Sequence, residues 1–120
     1  MKVPEFILRK LYVRGSLRST PNGFEFLLKN TLGSGYTTKL LPLKVDGNEL
    51  HIASTCFYVD HVTIPFASIT EENPFTLAMN KDIKIEVEGT LLSGEEHKIR
   101  MGFMVKGLGV LEFTFTDREV

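Results

Sequence analysis

The chain has 120 residues, a formal net charge of −1 and a single cysteine, Cys56. That length fits one domain, residues 1–120, with room to bury a core. One cysteine excludes an internal disulfide framework, and the near-neutral charge excludes a whole-protein attraction to nucleic acid or membrane. Pro4, Glu5 and Arg9 interrupt the first apolar residues, so no secretory signal is expected, and no apolar run reaches membrane-spanning length. A soluble, cytoplasmic protein with no membrane partner is the expectation. The charge is unevenly spread. Residues 1–44 hold eight Lys/Arg against Glu5 and Glu25, whereas residues 45–120 hold six against thirteen Asp/Glu. Basic early strands could pair with acidic late strands inside the domain, or two charged faces could meet between subunits.

Residues 6–17 read as a first strand with a bulge at Arg9-Lys10. A helical stripe of Phe6, Leu8, Leu11 and Tyr12 is the competitor, disfavoured by Gly15. Ser19–Gly23 is a turn, with Asn22-Gly23 taken as its positive-φ pair. Phe24, Phe26 and Leu28 then alternate with less apolar neighbours, so residues 24–30 should be a half-buried strand hairpinned to 6–17. After Gly33-Ser34-Gly35, Tyr36–Val45 reads as a strand with Leu41, Leu43 and Val45 on one face. Pro42 marks an edge or a kink. Asp46-Gly47 turns into a short return, and Phe57–Ile64 is read as one strand. Residues 65–81 are the least strand-like, a helical turn or a connection crossing between sheets. Residues 82–92, 98–106 and 110–116 alternate well and read as three hairpin-linked strands. The total is about eight strands with turn signals roughly every 8–12 residues, which predicts an all-β antiparallel sandwich, Greek-key-like.

Chemistry-bearing residues are sparse. His51, Cys56, Asp60 and His61 are metal-ligand types, but on a single strand Asp60 and His61 point to opposite faces. His51, Asp60 and His61 are therefore only weak metal candidates. Ser34 lacks the strand-to-helix elbow of an activated serine, and Gly107-x-Gly109 lacks the third glycine of a dinucleotide loop. Glu71-Glu72 and Glu95-Glu96 read as solvated loop charge. Glu86 and Glu88 share a strand face. No cofactor is predicted. Arg9, Lys10, Arg14 and Arg18 surround Tyr12 and form a possible basic binding surface for single-stranded nucleic acid. Leu27, Leu40 and Met104 fall opposite the main alternation of their strands, so either they lie under loops or they form a second apolar face used in an oligomer.

The stretches LYVRGSLRSTPNGFEFLLKNTL (residues 11–32) and LLPLKVDGNEL (residues 40–50) carry Gly15-Ser16-Leu17, Gly23-Phe24, Lys29-Asn30 and Val45-Asp46-Gly47. In these residues the chain resembles small uncharacterised archaeal β-domain proteins of similar length. The resemblance covers about the first fifty residues. It implies an all-β domain and carries no catalytic residue over. The resulting expectation is a non-enzymatic binding or assembly module acting as a homo-oligomer. One alternative is a small metal-dependent enzyme or metal-binding protein using residues 51–61. Another is a weak nucleic-acid-binding domain using the basic first strand.

Overall fold

The sequence segments with the cleanest two-residue alternation supply the centres of two antiparallel sheets. The computed structural model describes residues 3–120. Its strands are β1 (Arg18–Thr20), β2 (Gly23–Lys29), β3 (Gly35–Leu40), β4 (Lys44–Val45), β5 (Asn48–Glu49) and β6 (Thr55–Val59). Then follow β7 (Val62–Pro65), β8 (Phe75–Leu77), β9 (Asp82–Glu88), β10 (Glu96–Val105) and β11 (Gly109–Arg118). One sheet has the order β1-β2-β9-β6-β7. In the other, β10 pairs with β11 on one side and with β4 and β3 on the other, while β5 and β8 extend the sheet from β4 and β3. No helix among the described residues is long and apolar enough to cross a membrane.

The core lies between the sheets. Phe24, Phe26 and Leu28 of β2 and Ile83, Ile85 and Val87 of β9 point in from one side. Ile99, Met101, Phe103 and Val105 of β10 and Leu111, Phe113 and Phe115 of β11 point in from the other, and all are buried. Aromatic pairs join the layers: Phe26 meets Phe115 edge-on at 5.2 Å between ring centroids, and Phe57 stacks on Phe75 at 4.1 Å. Full burial of each such side chain is worth about 1.5–3 kcal/mol, so these contacts hold the sandwich closed. The alternation expected for these strands is the one observed.

Elsewhere the structure corrects the sequence reading. Residues 6–17 are not a strand. A one-turn helix, α1 (Glu5–Leu8), runs into a 3₁₀ turn at Arg9–Leu11. Pro4 starts it, its carbonyl accepting from the N–H groups of Ile7 and Leu8. Leu8 and Leu11, three apart, are both buried, so a helical stripe prevails over alternation. The chain then runs beside β2 from Tyr12, which bridges Leu28. Phe57–Ile64 is two strands, because Asp60 and His61 both take positive φ (52° and 65°) and form a tight hairpin turn without glycine. A register irregularity between β10 and β3 at Met104/Val105 changes the phase of the next segment. Leu40 is consequently buried in the core instead of lying on an outer face, and Leu41 lies over Gly102. The last three strands are not successive hairpins: β9 belongs to the first sheet and only β10 and β11 are hairpin-linked. The count is eleven because strands separate at Pro42 and at Asp60-His61 and because β8 forms within residues 65–81, while β1 takes the place of the expected 6–17 strand. Residues 65–81 do contain a helical turn, Phe66–Ser68, but they do not transfer the chain between sheets: they leave the first sheet after β7, add β8 to the second sheet beside β3, and return to the first sheet at β9.

Opposite charges from early and late strands meet inside the first sheet, in both senses. Lys29 lies opposite Asp82, and Lys84 Nζ lies 3.7 Å from Glu25 Oε2. Lys29 and Asp82 are exposed, so their attraction is of small energetic value, whereas the Glu25 side chain is only 15 % exposed.

Candidate functional site

The outer edge of β11 is ten residues long, a length that would template another strand. α1 covers its middle. Glu5 Oε2 accepts the Thr114 N–H at 3.0 Å, and Arg9 Nε donates to the Thr114 carbonyl at 2.7 Å. Glu5 and Arg9 pair with each other at 3.1 Å. A carboxylate and a guanidinium thus make the two bonds that a neighbouring strand would make. Further along, Asp117 accepts from the Tyr12 hydroxyl (2.8 Å) and the Gly15 N–H (2.9 Å). Burial and this carboxylate push the Tyr12 phenol up to about 12. Tyr12 is buried and stacked on Phe115 at 3.7 Å.

At one end of the sandwich, between α1, the 30–35 loop and the β10–β11 turn, lies an apolar groove of about 390 Å³. Val3, Ile7, Leu8, Leu32, Leu108 and Leu111 are among its walls. Asn30 shapes the loop. Its amide N–H groups donate to the carbonyls of Gly33 and Leu77, and its side-chain oxygen accepts from the N–H groups of Leu32 and Gly33. Asn30 is therefore buried with its hydrogen bonds made, and Leu32 is held out at 40 % exposure, beside Leu108 at 42 %. Val3 and Leu111 also line a neighbouring depression with Val110, where the charged side chains of Glu5, Arg100 and Glu112 bound the apolar surface. Ser34 lies on this loop as a wall residue.

A second depression, about 480 Å³, is lined by Arg9, Arg14, Lys98 and Arg100, with Glu5, Thr114 and Thr116. The N-terminal segment and the outer face of β10–β11 therefore bring Arg9 and Arg14 together with two cations that the sequence did not associate with them. Lys10 and Arg18 do not line this depression and are exposed. Arg18 faces Glu25 across the β1–β2 ladder.

The expected ligand-type residues take ordinary structural positions. His51 precedes the 3₁₀ turn Ile52–Ser54. Asp60 and His61 occupy the β6–β7 turn, with Lys81 Nζ 2.8 Å from Asp60. Cys56 Sγ lies 3.9 Å from Glu86 Oε1, and burial, reinforced by Glu86 and Glu88, pushes its thiol up. That disfavours the reactive thiolate. Among the described residues no three His, Cys, Asp or Glu side chains gather as a metal site.

One constellation has no signal in the sequence. Asp46 Oδ2 lies 2.6 Å from His97 Nδ1, and His97 Nε2 lies 3.1 Å from Ser93 Oγ. The order matches an acid–base–nucleophile chain, but the details do not. Nε2 is also 3.1 Å from the Ser93 carbonyl oxygen, which only accepts. Nε2 therefore carries a proton and cannot take one from the hydroxyl. The hydrogen bond His97 donates to Asp46 raises the His97 pKa, and the ring clips the Asp46 turn to the Ser93 loop. Asp46 also accepts the Lys98 N–H at 2.9 Å, and this bond, followed by His97, holds its carboxyl below the usual range. Asp46 and His97 are brought together by the pairing of Val45 with Ile99, a long-range register that no local spacing announces.

A family model described as hydroxymethylglutaryl-CoA reductase, N-terminal domain, matches residues 7–119. What is shown is thus a named family covering almost the whole chain, in place of the uncharacterised archaeal one expected from residues 11–50. No curated protein matches the chain.

Proposed function

The chain belongs to the hydroxymethylglutaryl-CoA reductase N-terminal domain family, and from that premise we propose that it is a non-enzymatic binding or assembly module working as a homo-oligomer. The apolar groove carries this reading. It has the size of a recognition pocket, with few polar groups in its walls and half-exposed leucines at its rim. α1 covers the middle of the β11 edge, which favours association through a face over association through that strand. The occupant we assign is a second copy of the chain. Phe6 is 63 % exposed on the same helix that supplies Ile7 to the groove. A two-fold pairing would place Phe6 of each copy against the groove of the other, the reciprocal arrangement of a symmetric dimer. An aromatic anchor in such a site is the usual source of interface energy.

Light scattering coupled to size-exclusion chromatography tests this. The expected result is a dimer at micromolar concentration, converted to monomer by Phe6→Ser or Leu108→Asp with an unchanged β-sheet circular dichroism spectrum. A monomeric wild-type chain across the concentration series, or a dimer indifferent to Phe6→Ser, would overturn it. The family description favours a second reading, in which the same groove receives a segment of a hydroxymethylglutaryl-CoA reductase. Co-elution with that enzyme, abolished by Leu108→Asp while the chain alone stays monomeric, would select it. The metal-dependent reading through His51, Asp60 and His61 gains no support from the geometry. Nor does binding of single-stranded nucleic acid, because Tyr12, the aromatic among the basic residues, is buried.

A further inference from the structure

We propose that the cleft between the N-terminal segment and the outer face of β10–β11 binds a compact phosphorylated anion, such as a phosphomonoester or diphosphate group. On β10 and β11, Lys98 lies directly opposite Thr116 and Arg100 directly opposite Thr114, so two cations and two hydroxyls form a square on one face of the sheet. Arg9 and Arg14 reach the same cleft from the chain that crosses the β11 edge. The four cations are not equally committed. Arg9 is paired with Glu5, and Arg100 holds Glu112 through Nε and Nη2 at 2.8 and 2.7 Å. Arg14 and Lys98 make no ion pair among the described residues. The charge of Arg14 acts on Asp117, but that carboxylate is engaged by Tyr12, Gly15 and the Arg118 N–H.

Two uncommitted cations beside two fixed guanidiniums suit an anion carrying more than one negative charge on tetrahedrally arranged oxygens. Guanidinium forks and hydroxyl donors match such oxygens in geometry as well as charge. An extended nucleic-acid strand is disfavoured because the cleft has no exposed aromatic side chain on which bases could stack. A β-strand of an acidic partner is disfavoured because Glu5 and Arg9 already occupy the backbone groups of Thr114.

The test is a titration of the ¹⁵N-labelled full chain with inorganic pyrophosphate at low salt, followed by amide chemical shifts. The expected result is saturable movement of Lys98, Arg100, Thr114 and Thr116. An Arg14→Ala/Lys98→Ala variant should bind at least about tenfold more weakly, as loss of two charge-assisted contacts implies. A Lys10→Ala/Arg18→Ala variant removes the same charge outside the cleft and should bind as wild type does. Equal weakening in both variants, or shifts spread over all exposed lysines, would reduce the effect to general electrostatics and overturn the assignment. Tighter binding of a single-stranded oligonucleotide than of pyrophosphate, with a steep salt dependence, would overturn the compact-ligand assignment in favour of nucleic acid.

Discussion

Replacement of Gly23 by alanine should damage the first sheet although the backbone there is ordinary. Gly23 is not among the positive-φ glycines. Its constraint is space: a Cβ at this position would lie 1.9 Å from the Val87 carbonyl oxygen and 2.9 Å from its carbon. Ordinary contact begins near 3.4 Å, so β2 and β9 must part by about 1.5 Å. A hydrogen bond cannot survive that displacement. The pairing of Gly23 with Glu88 and the 2.8 Å bond from the Gly89 N–H to the Asn22 carbonyl lie at the point of separation. Two lost bonds at about 1 kcal/mol each, with a further cost for the buried Val87 carbonyl, give about 2–4 kcal/mol. Alanine returns about 0.4–1 kcal/mol by restricting the unfolded chain. The net loss should be about 1–3.6 kcal/mol, a fall in Tm of roughly 4–14 °C for a domain of this size. Urea unfolding followed by far-ultraviolet circular dichroism measures it. Gly94→Ala is the internal control, because a Cβ there meets nothing within 4 Å and φ is not positive. A Gly23→Ala protein within about 0.5 kcal/mol of the Gly94→Ala protein would refute the close-approach reasoning.

Two further predictions concern buried or bridging polar groups. Thr37 Oγ1 is buried without a hydrogen-bond partner in the core, so Thr37→Val should stabilise the fold by about 1 kcal/mol; a lower urea midpoint would show that the hydroxyl is used. His97→Gln should remove the clip to Asp46 in a pH-dependent way. The His97 pKa is raised above its ordinary 6.5, so its contribution is complete below that value and is lost as pH rises through the folded-state pKa. The Asp46 pKa is lowered from 3.8, so its contribution is complete above 3.8 and is lost as pH falls through the folded-state pKa. The Tm difference between wild type and variant should therefore be largest between about pH 4 and 6.5 and shrink at pH 9. A difference constant across this range would discount the ion pair.

The residues that were legible in advance are those whose signal is local. Phe24, Phe26 and Leu28, or Ile83, Ile85 and Val87, alternate because each strand packs one face against the other sheet, and two-residue periodicity survives in any antiparallel context. Asp46-Gly47 was legible as a turn for the same local reason, and both residues do take positive φ. Asn22-Gly23 does not form the positive-φ pair its sequence suggests. The turn proper is Pro21-Asn22, and Gly23 already pairs with Thr20, its small size demanded by a strand sixty residues away. The β6–β7 turn went unseen because Asp60-His61 accepts left-handed geometry without glycine. Leu40 was placed outside because a register slip against β10 cannot be read from residues 36–45 alone. The site followed the same division. Arg9 and Arg14 stood out as a basic cluster, but Lys98 and Arg100 join them only through the long β10–β11 pairing and the path of the N-terminal segment. His97 and Asp46 meet for an equally non-local reason.

The cover on the β11 edge depends on the state of one helical turn. Glu5 and Arg9 hold their places only while α1 keeps its shape, and a single turn is far below the length at which a helix persists unaided. Leu8 and Leu11, buried against the sandwich, supply what the backbone of that turn lacks. Fraying of a few residues would uncover a long, regular strand whose outward N–H and carbonyl groups have no other cover at Thr114. The proposed two-fold contact through the groove would stop at two chains, whereas edge-to-edge pairing has no such terminus and propagates. Were chains to associate, the Glu5–Arg9 pair on Thr114 would be what blocks open-ended pairing along this edge.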